Sequence, residues 1–330
     1  MAKQITIIGL GQIGASVGLA LEQYKSSIKR VGHDRKPEAA KAAQEQGAVD
    51  EINFNLPASV RNADMVVLSL PLHEIEETLE IIGPDLKEGA IVLDTAPAKA
   101  QVAEWAARSI PSGRTYVGLV PSIGPDHLLD VGAGLSSARA DLFKESVFLV
   151  CPARNAAEKD VKLATDLLEL LGAKPMFADP VEADGLMAAL HTLPGLMAVA
   201  LLNATVKQPG WKEARMMAGR PYALVSAAAL YHEESAALVK MAEANRENVL
   251  RVLDNAIRSL TELRATIQSG EQKNVEEAVE DAYLGGMQWL KERLGADWQS
   301  EDRPNVEVPS FTDRFLGTWI KPSQAREKKK

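Results

Sequence analysis

The fold is decided by residues 5–14, Ile5-Thr6-Ile7-Ile8-Gly9-Leu10-Gly11-Gln12-Ile13-Gly14, in which an apolar strand runs directly into three glycines. Gly9 permits a tight turn, Gly11 lets the backbone approach a pyrophosphate, and Gly14 lets the following helix pack closely on the strand. Leu10, Gln12 and Ile13 complete the loop, and the helix N-terminus after it favours anions because its N–H groups are unpaired. The stretch therefore predicts a dinucleotide-binding site.

The sequence after Gly14 agrees with this prediction. The apolar positions that follow have helical spacing, and they are Val17, Ala20, Leu21 and Tyr24. A second strand then ends at Asp34, 20 residues past Gly14, where a carboxylate accepts hydrogen bonds from the adenosine ribose. Its charge would repel a 2′-phosphate, so NAD is favoured, although Arg35 and Lys36 could accept that phosphate and leave NADP open.

Composition narrows the class of protein. With 46% hydrophobic and 25% charged residues, the 330-residue chain is typical of a soluble protein with two domains. Its formal net charge is −8, from 37 Lys and Arg against 45 Asp and Glu, and apart from residues 326–330 no basic stripe predicts nucleic-acid binding. The single Cys151 excludes an internal disulfide, the five histidines are too scattered to predict a metal site, and no apolar signal region precedes the first strand. We therefore expect a cytoplasmic protein.

Residues Gly185–Ala204 are the nearest approach to a membrane span, but four residues interrupt the apolar run: His191, Thr192, Pro194 and Asn203. We interpret the segment as a buried helix and expect no membrane association. A helix that is apolar almost all round needs cover on every side, which a second copy of the chain would supply. Homodimerisation through the helical region follows as a hypothesis.

Strand-like and helical runs alternate through the first half of the chain, which predicts an α/β fold with a doubly wound, mostly parallel sheet of the Rossmann type. The predicted strands are Ile5–Ile8, Val31–His33, Met65–Leu70, Ala90–Asp94, Tyr116–Leu119, Val147–Cys151 and Pro175–Phe177. Helices are predicted between them, such as Pro37–Gln46 and Asn155–Leu171. Ligands bind such sheets at the carboxyl ends of the strands, so Leu70, Pro71 and Thr95 are predicted to contact the cofactor.

The pattern changes after residue 180. No strand pattern follows, and Ala-, Leu- and Glu-rich helical stretches run over about 182–269 and 274–294. We predict a dinucleotide-binding domain at 1–180 and an all-α domain for substrate binding and dimerisation at 181–300. Periodicity is low from about residue 300, so 301–330 are predicted to form an arm or tail.

Taken in order, these segments resemble the prephenate/arogenate dehydrogenase family. The segments that carry the resemblance are Gly9–Gly14, Gly32–Arg35, Ala63–Val67, Ser69–Pro71, Asp94–Lys99, Leu142-Phe143, Glu182–Asp184, Leu193-Pro194 and Ala244–Asn248. The resemblance implies oxidation of a cyclohexadienyl acid with NAD(P) and loss of carbon dioxide on aromatisation, and it spans nearly the whole chain. Prephenate is the substrate it implies first.

Three landmarks of that family differ here. The D-x-x-S-x-K motif has Pro97 in place of the serine, and the G-G-H-P-M-A-G loop has Val120 in place of the histidine that accepts the substrate proton. The S-H-L-P-H motif reads His191-Thr192-Leu193-Pro194-Gly195, so both histidines are replaced and one stands where the serine was. Valine cannot take a proton, and a positioned base supplies typically about 10²–10⁴-fold in rate.

Three explanations stay open: a displaced base, a different alcohol or amine substrate, or a regulatory protein that binds the cofactor without turnover. His191 is a candidate acid or base, although a lone imidazole in an apolar helix is as readily a core or interface histidine. His127 follows a loop turn and could reach the cleft or simply be exposed. Ser122 offers a hydroxyl near the missing imidazole, but unaided serine is a poor base.

An anionic substrate needs cations. Lys212 and Arg215 lie in a segment that resembles the family's carboxylate-binding region, although a gapless match puts Met216 at the arginine position. Arginine suits carboxylates through its paired donors, and the alternative for both residues is solvated surface charge. Thr192 is the remaining predicted substrate contact, because the resemblance places it at a histidine position.

Overall fold

A computed structural model describes residues 3–130, 132–230 and 235–296. Eight strands form one sheet: β1 (Lys3–Ile8), β2 (Ile28–His33), β3 (Glu51–Ile52), β4 (Met65–Leu68), β5 (Ile91–Asp94), β6 (Thr115–Pro121), β7 (Val147–Pro152) and β8 (Lys174–Phe177). Their order is β3-β2-β1-β4-β5-β6-β7-β8. All neighbouring pairs are parallel except β6 and β7.

This order is that of the doubly wound dinucleotide-binding fold with an extension beyond its sixth strand. All seven predicted strands are present, which confirms the fold class. The two-residue strand β3 was not predicted, and β7 runs against β6.

Helices cover both faces of the sheet: α1 (Gln12–Ala20), α2 (Pro37–Glu45), α3 (Leu56–Val60), α4 (Leu72–Ile82), α5 (Lys99–Ser109) and α6 (Glu158–Leu170). The central strands are therefore apolar on both sides, and β4 and β5 are buried at every position. Ile7 and Val67 belong to one core cluster and Ile8 and Val66 to another, as expected where side chains alternate across a strand.

The described residues after 180 are helical. They form α7 (Pro180–Met187), α8 (Leu193–Thr205), α9 (Trp211–Met217), α10 (Arg220–Leu230), α11 (Ser235–Ala244), α12 (Arg246–Ser269) and α13 (Gln272–Gly295), with a π-helical turn at Ala188–Thr192 between α7 and α8. The predicted all-α half is confirmed. The predicted arm at 301–330 lies outside the described residues.

Helix α8 is apolar but only Gly195 and Ala198 are buried along it. The continuous helical segment Pro180–Thr205 has 26 residues, and its most apolar 18-residue window has a mean hydropathy of 1.8, yet only 22% of that window is buried. By length and composition alone it is the one described helix that could cross a membrane, a test that core helices also pass. The predicted burial of this helix is therefore incomplete in the described chain.

Candidate active site

A cleft of about 1410 Å³ separates the carboxyl ends of β1, β4, β5 and β6 from the helical half. On the sheet side it is lined by Gly11, Gln12, Ile13, Leu70, Pro71, Thr95, Pro97, Val120 and Pro121, among others. On the helical side the lining comes mainly from apolar residues of α8, α11 and α12. Most of the predicted cofactor-binding segments thus meet in one space.

The three fingerprint glycines have the surroundings that their predicted roles require. Gly9 has a φ of +89°, and a Cβ there would lie 2.2 Å from the carbonyl oxygen of Ser69. A Cβ on Gly14 would lie 2.0 Å from the carbonyl oxygen of Gly9, so α1 packs against the loop. Gly11 has no atom within 4 Å of its virtual Cβ and lines the cleft. The close approach of a phosphate is therefore available at Gly11 alone of the three.

Asp34 stands at the end of β2 and holds the glycine loop. Its Oδ2 accepts a hydrogen bond from the Leu10 N–H at 2.9 Å, and its Oδ1 accepts one from the Lys36 N–H at 2.9 Å. The neighbouring Arg35 forms an ion pair with Glu74. The carboxylate therefore lies beside the fingerprint loop, and Arg35 is drawn towards α4.

The segment 133–139 packs beside α1 and closes one side of the cleft. Gln12 Nε2 donates to the Ser137 carbonyl at 3.3 Å, and the Arg139 N–H donates to Ser16 Oγ at 2.9 Å. Ala133 and Gly134 line the cleft. Backbone from a long connection thus borders the N-terminus of α1, where the phosphates are predicted to bind.

His191 is the predicted base that the structure brings into the cleft. It is exposed, lies in the π-helical turn and is part of the lining. The extra residue of a π turn shifts the helix face, and such turns are frequent at functional sites. The neighbouring Thr192 is 3% exposed and is not in the lining, so the structure does not bring this predicted substrate contact to the cleft.

Ser122 and His127 do not reach the cleft lining. Ser122 Oγ accepts a hydrogen bond from the N–H of Val147, the first residue of β7, at 3.2 Å. Both ring nitrogens of His127 contact carboxylates, at 3.1 Å to Asp130 and 3.0 Å to Asp141. The hydrogen bond to Asp130 raises the pKa of His127, as does the one to Asp141, which favours imidazolium over a free base.

Lys212 and Arg215, predicted to bind an anionic substrate, are exposed on α9 and are not in the lining of this protomer's cleft. Among the residues described for the lining, the Lys or Arg is Arg246, the first residue of α12, and Glu243 lines the cleft near the end of α11. Neither was predicted. The available signal was the motif Ala244–Asn248, in which an asparagine precedes a long helix at an N-cap position.

A buried ion pair lies beneath the cleft. Asp94 and Lys99 are both 0% exposed, and Lys99 Nζ donates to Asp94 Oδ1 at 2.6 Å. The Tyr116 hydroxyl donates to Asp94 Oδ2 at 2.6 Å, and burial together with the Asp94 charge raises the pKa of Tyr116 well above its ordinary value. The pair orders the loop after β5 without lining the cleft.

Asp184 joins the two halves of the chain. Its carboxylate accepts hydrogen bonds from the backbone N–H groups of Lys99 at 2.5 Å and Ala100 at 3.2 Å, which are the first residues of α5. A residue of α7 therefore caps α5, as an acidic side chain at a helix N-terminus does. Burial raises the pKa of Asp184 despite these bonds. Asn245 Nδ2 donates to the Asp184 carbonyl at 2.6 Å, so the start of α12 is fixed to the same point.

The doubly wound sheet, the glycine loop and the cleft at the strand ends define a dinucleotide-binding protein with a helical second domain. Residues 17–177 match the family described as prephenate dehydrogenase, nucleotide-binding domain, and residues 179–281 match prephenate dehydrogenase, dimerization domain. The chain belongs to the prephenate dehydrogenase family, which confirms the resemblance found in the sequence.

Curated relatives are distant. The chain is 25% identical over 209 residues to prephenate dehydrogenase of Bacillus subtilis, a match covering 62% of this chain and 54% of that protein. It is 23% identical over 267 residues to cyclohexadienyl dehydrogenase of Zymomonas mobilis, covering 81% and 89%. The chain spans about half the length of the first of these relatives.

Solved structures share the fold. Prephenate dehydrogenase from Aquifex aeolicus, in complex with hydroxyphenyl propionate and NAD+, superposes with a TM-score of 0.75 at 20% identity, covering 88% of this chain and 99% of that one. Synechocystis arogenate dehydrogenase superposes with a TM-score of 0.65 at 24% identity, covering 87% and 99%.

Proposed function

We propose that the protein is an NAD(P)-dependent dehydrogenase that oxidises a small carboxylate-bearing alcohol of the prephenate or arogenate type. One observation carries the proposal: a single cleft runs from Gly11 of the fingerprint loop to a wall that holds His191 and Arg246. A dinucleotide site, an imidazole and a cation that can bind a carboxylate thus share one space. Family membership supports the same activity.

The residues present fit a bound NAD, which would supply the hydride acceptor. The N-terminus of α1 and the N–H groups of the glycine loop would hold the diphosphate. The Asp34 carboxylate, beside that loop, would accept hydrogen bonds from the adenosine ribose and disfavour a 2′-phosphate. Leu70, Pro71 and Thr95, at the ends of β4 and β5, would border the nicotinamide. We propose NAD as the preferred form.

Removal of the substrate's hydroxyl proton has to accompany hydride loss, and the position that the family fills with histidine is Val120 here. Val120 lines the cleft and is 8% exposed. We assign the proton transfer to His191 on the opposite wall, because it is the histidine in the described lining and an imidazole titrates near neutral pH.

A second function is favoured by one observation. Pro97, Val120 and Gly195, which replace family landmarks, all line the cleft, so the altered positions face the ligand rather than the core. A same-fold oxidoreductase acting on another small carboxylate-bearing alcohol or amine would explain all three together.

The activity is tested with purified protein, NAD or NADP, and prephenate or arogenate, by following nicotinamide absorbance. We expect turnover with at least one substrate. His191→Ala should abolish it while NAD affinity stays within a few fold, and His127→Ala, outside the cleft, serves as the matched control. Near-normal turnover of His191→Ala would eliminate His191 as the base. Absence of turnover with both substrates would favour the second function or a non-catalytic binder, provided that calorimetry still detects NAD. Loss of NAD binding as well would overturn the dinucleotide site itself.

We also propose a homodimer formed by the helical half, with the domain boundary near residue 180. The dimerization-domain match and the large apolar side chains exposed on α12 and α13, such as Ile257 and Tyr283, support it. Light scattering should give about twice the chain mass of 35.6 kDa. Ile257→Glu should shift the mass towards the monomer, whereas Gln23→Glu, exposed on the nucleotide-binding half, should not.

A further inference from the structure

Two charged residues stand out in the described lining of the cleft. The lining contributed by the helical half is largely apolar, from Leu238, Val249, Leu250 and Leu253 among others. Glu243 and Arg246 are the charged residues of the described lining, one of each sign. In a mostly apolar pocket, a few charged groups of this kind fix the orientation of a ligand and provide specificity.

Glu243 and Arg246 flank a fixed point in the backbone. Asn245, between α11 and α12, has a non-helical backbone with φ −122° and ψ 37°. Its side chain donates to the Asp184 carbonyl at 2.6 Å and accepts a hydrogen bond from Asn248 Nδ2 at 2.9 Å. Glu243 and Arg246 are therefore held three positions apart across a rigid junction.

The two charges have no competing protein partner within the described chain. Neither the Glu243 carboxylate nor the Arg246 guanidinium makes a side-chain hydrogen bond or an ion pair with a described residue, and they do not pair with each other. Both are solvent-accessible at the cleft, so each can exchange water for a ligand group of opposite charge. Charge-assisted hydrogen bonds of this kind are about twice as strong as neutral ones.

We propose that Glu243 and Arg246 together bind the head group of an α-amino acid, with the ammonium at Glu243 and the α-carboxylate at Arg246. This rests on the proposed dehydrogenase function and names its substrate class. A 2-oxo acid offers the same carboxylate to Arg246 but no cation to Glu243, so the glutamate is left without a partner and its charge faces a dipolar carbonyl oxygen. Unpaired charge of this kind discriminates against the wrong ligand. The site therefore selects an amino-acid side chain over the corresponding keto acid.

Arogenate and prephenate test this directly, because they differ in carrying an amino acid or a 2-oxo acid on the same ring. We expect kcat/KM with NAD to be at least tenfold higher for arogenate. Glu243→Gln should lower kcat/KM at least tenfold for arogenate and raise it for prephenate, because the unpaired charge that opposes the keto acid is gone, and Arg246→Met should lower both. Glu247→Gln and Arg258→Gln, both on α12 and outside the described lining, are the matched controls and should leave the arogenate-to-prephenate ratio within twofold.

A binding measurement separates this proposal from the proposed activity. If neither substrate is turned over, calorimetry in the presence of NAD compares L-tyrosine with 4-hydroxyphenylpyruvate, which differ in the same way. Tighter binding of L-tyrosine that is lost in Glu243→Gln supports the head-group site even without turnover. Preference for the keto acid, an equal loss for both ligands in Glu243→Gln, or no binding of either ligand at millimolar concentration would overturn it.

Discussion

Alanine substitutions at two fingerprint glycines separate folding from cofactor binding, because the two positions have opposite surroundings. At Gly14 an added Cβ would lie 2.0 Å from the Gly9 carbonyl oxygen, and this backbone atom cannot rotate away. Overpacking of this kind typically costs about 1–3 kcal/mol. For a domain of roughly 150–250 residues, each kcal/mol lowers the melting temperature by about 2–4 °C. We therefore expect Gly14→Ala to melt several degrees below the wild type.

Gly11→Ala should behave in the opposite way. Its φ is −75°, which alanine adopts, and nothing lies within 4 Å of the new Cβ. The weaker N-cap preference of alanine is offset in part by the lower entropy of the unfolded chain, so the unfolding free energy should change by less than about 1 kcal/mol. The Cβ would occupy the space open to the pyrophosphate. Losing one charge-assisted hydrogen bond costs about 1.5–3 kcal/mol, or roughly 10- to 150-fold in NAD affinity.

Thermal melts of the free proteins and calorimetric titration with NAD measure the two effects on the same samples. The expected pattern is a low melting temperature for Gly14→Ala and a near-normal one for Gly11→Ala, with NAD affinity reduced at least tenfold in the latter. If Gly11→Ala bound NAD as tightly as the wild type, the pyrophosphate could not lie against the backbone at Gly11, and the predicted role of this glycine would be wrong.

Other features of the structure give three further expectations. Lys99→Met should lower the free energy of unfolding, measured in urea, by about 3–5 kcal/mol, because the buried Asp94 carboxylate loses its ion-pair partner. The double variant Lys99→Met, Asp94→Asn should lose less stability than the sum of the two single variants, and additive losses would contradict a coupled pair. Its carboxylate partners raise the pKa of His127, so the stability that these ion pairs contribute is fully present below the unfolded pKa of about 6.5 and is lost as pH rises through the higher folded pKa. His127→Gln should therefore destabilise the protein more at about pH 5.5 than at about pH 8.5 in urea melts, and the reverse order would be incompatible with this pairing. Burial raises the pKa of Cys151 to about 11, so iodoacetamide at about pH 8 should label the native protein slowly and the urea-unfolded protein rapidly, with equal rates counting against a buried thiol.

Much of the fold could be predicted because its constraints are local. Gly9 and Gly14 are required by backbone approaches of 2.2 Å and 2.0 Å to their virtual Cβ atoms, so the fingerprint records the turn directly. The central strands are apolar runs because both faces of the sheet are covered. Strand β3 has two residues, too few for any periodicity, and the apolar pattern of β7 does not show whether the strand runs parallel or antiparallel to β6. Strand direction there depends on the path of the 122–146 connection, which the local pattern does not encode.

The candidate site was predictable only where strand ends fix it. Leu70, Pro71 and Thr95 line the cleft as predicted, because the carboxyl ends of parallel strands meet at one edge. Lys212 and Arg215 form a conspicuous charge cluster in the sequence, but both are exposed on α9 and lie outside the cleft lining, which no local pattern shows. Arg246 resembles an ordinary exposed helix-start residue, and its place depends on a contact between Asn245 and Asp184, 61 residues apart.

The capping of α5 by Asp184 restricts the movement of the helical half relative to the nucleotide-binding half. A rotation of the helical half about the base of the cleft would pull the Asp184 carboxylate away from the Lys99 and Ala100 amides. Opening the cleft by a hinge at this point would therefore break both hydrogen bonds that cap α5, whereas the contact between Asn245 and Asp184 lies within the helical half and would move with it.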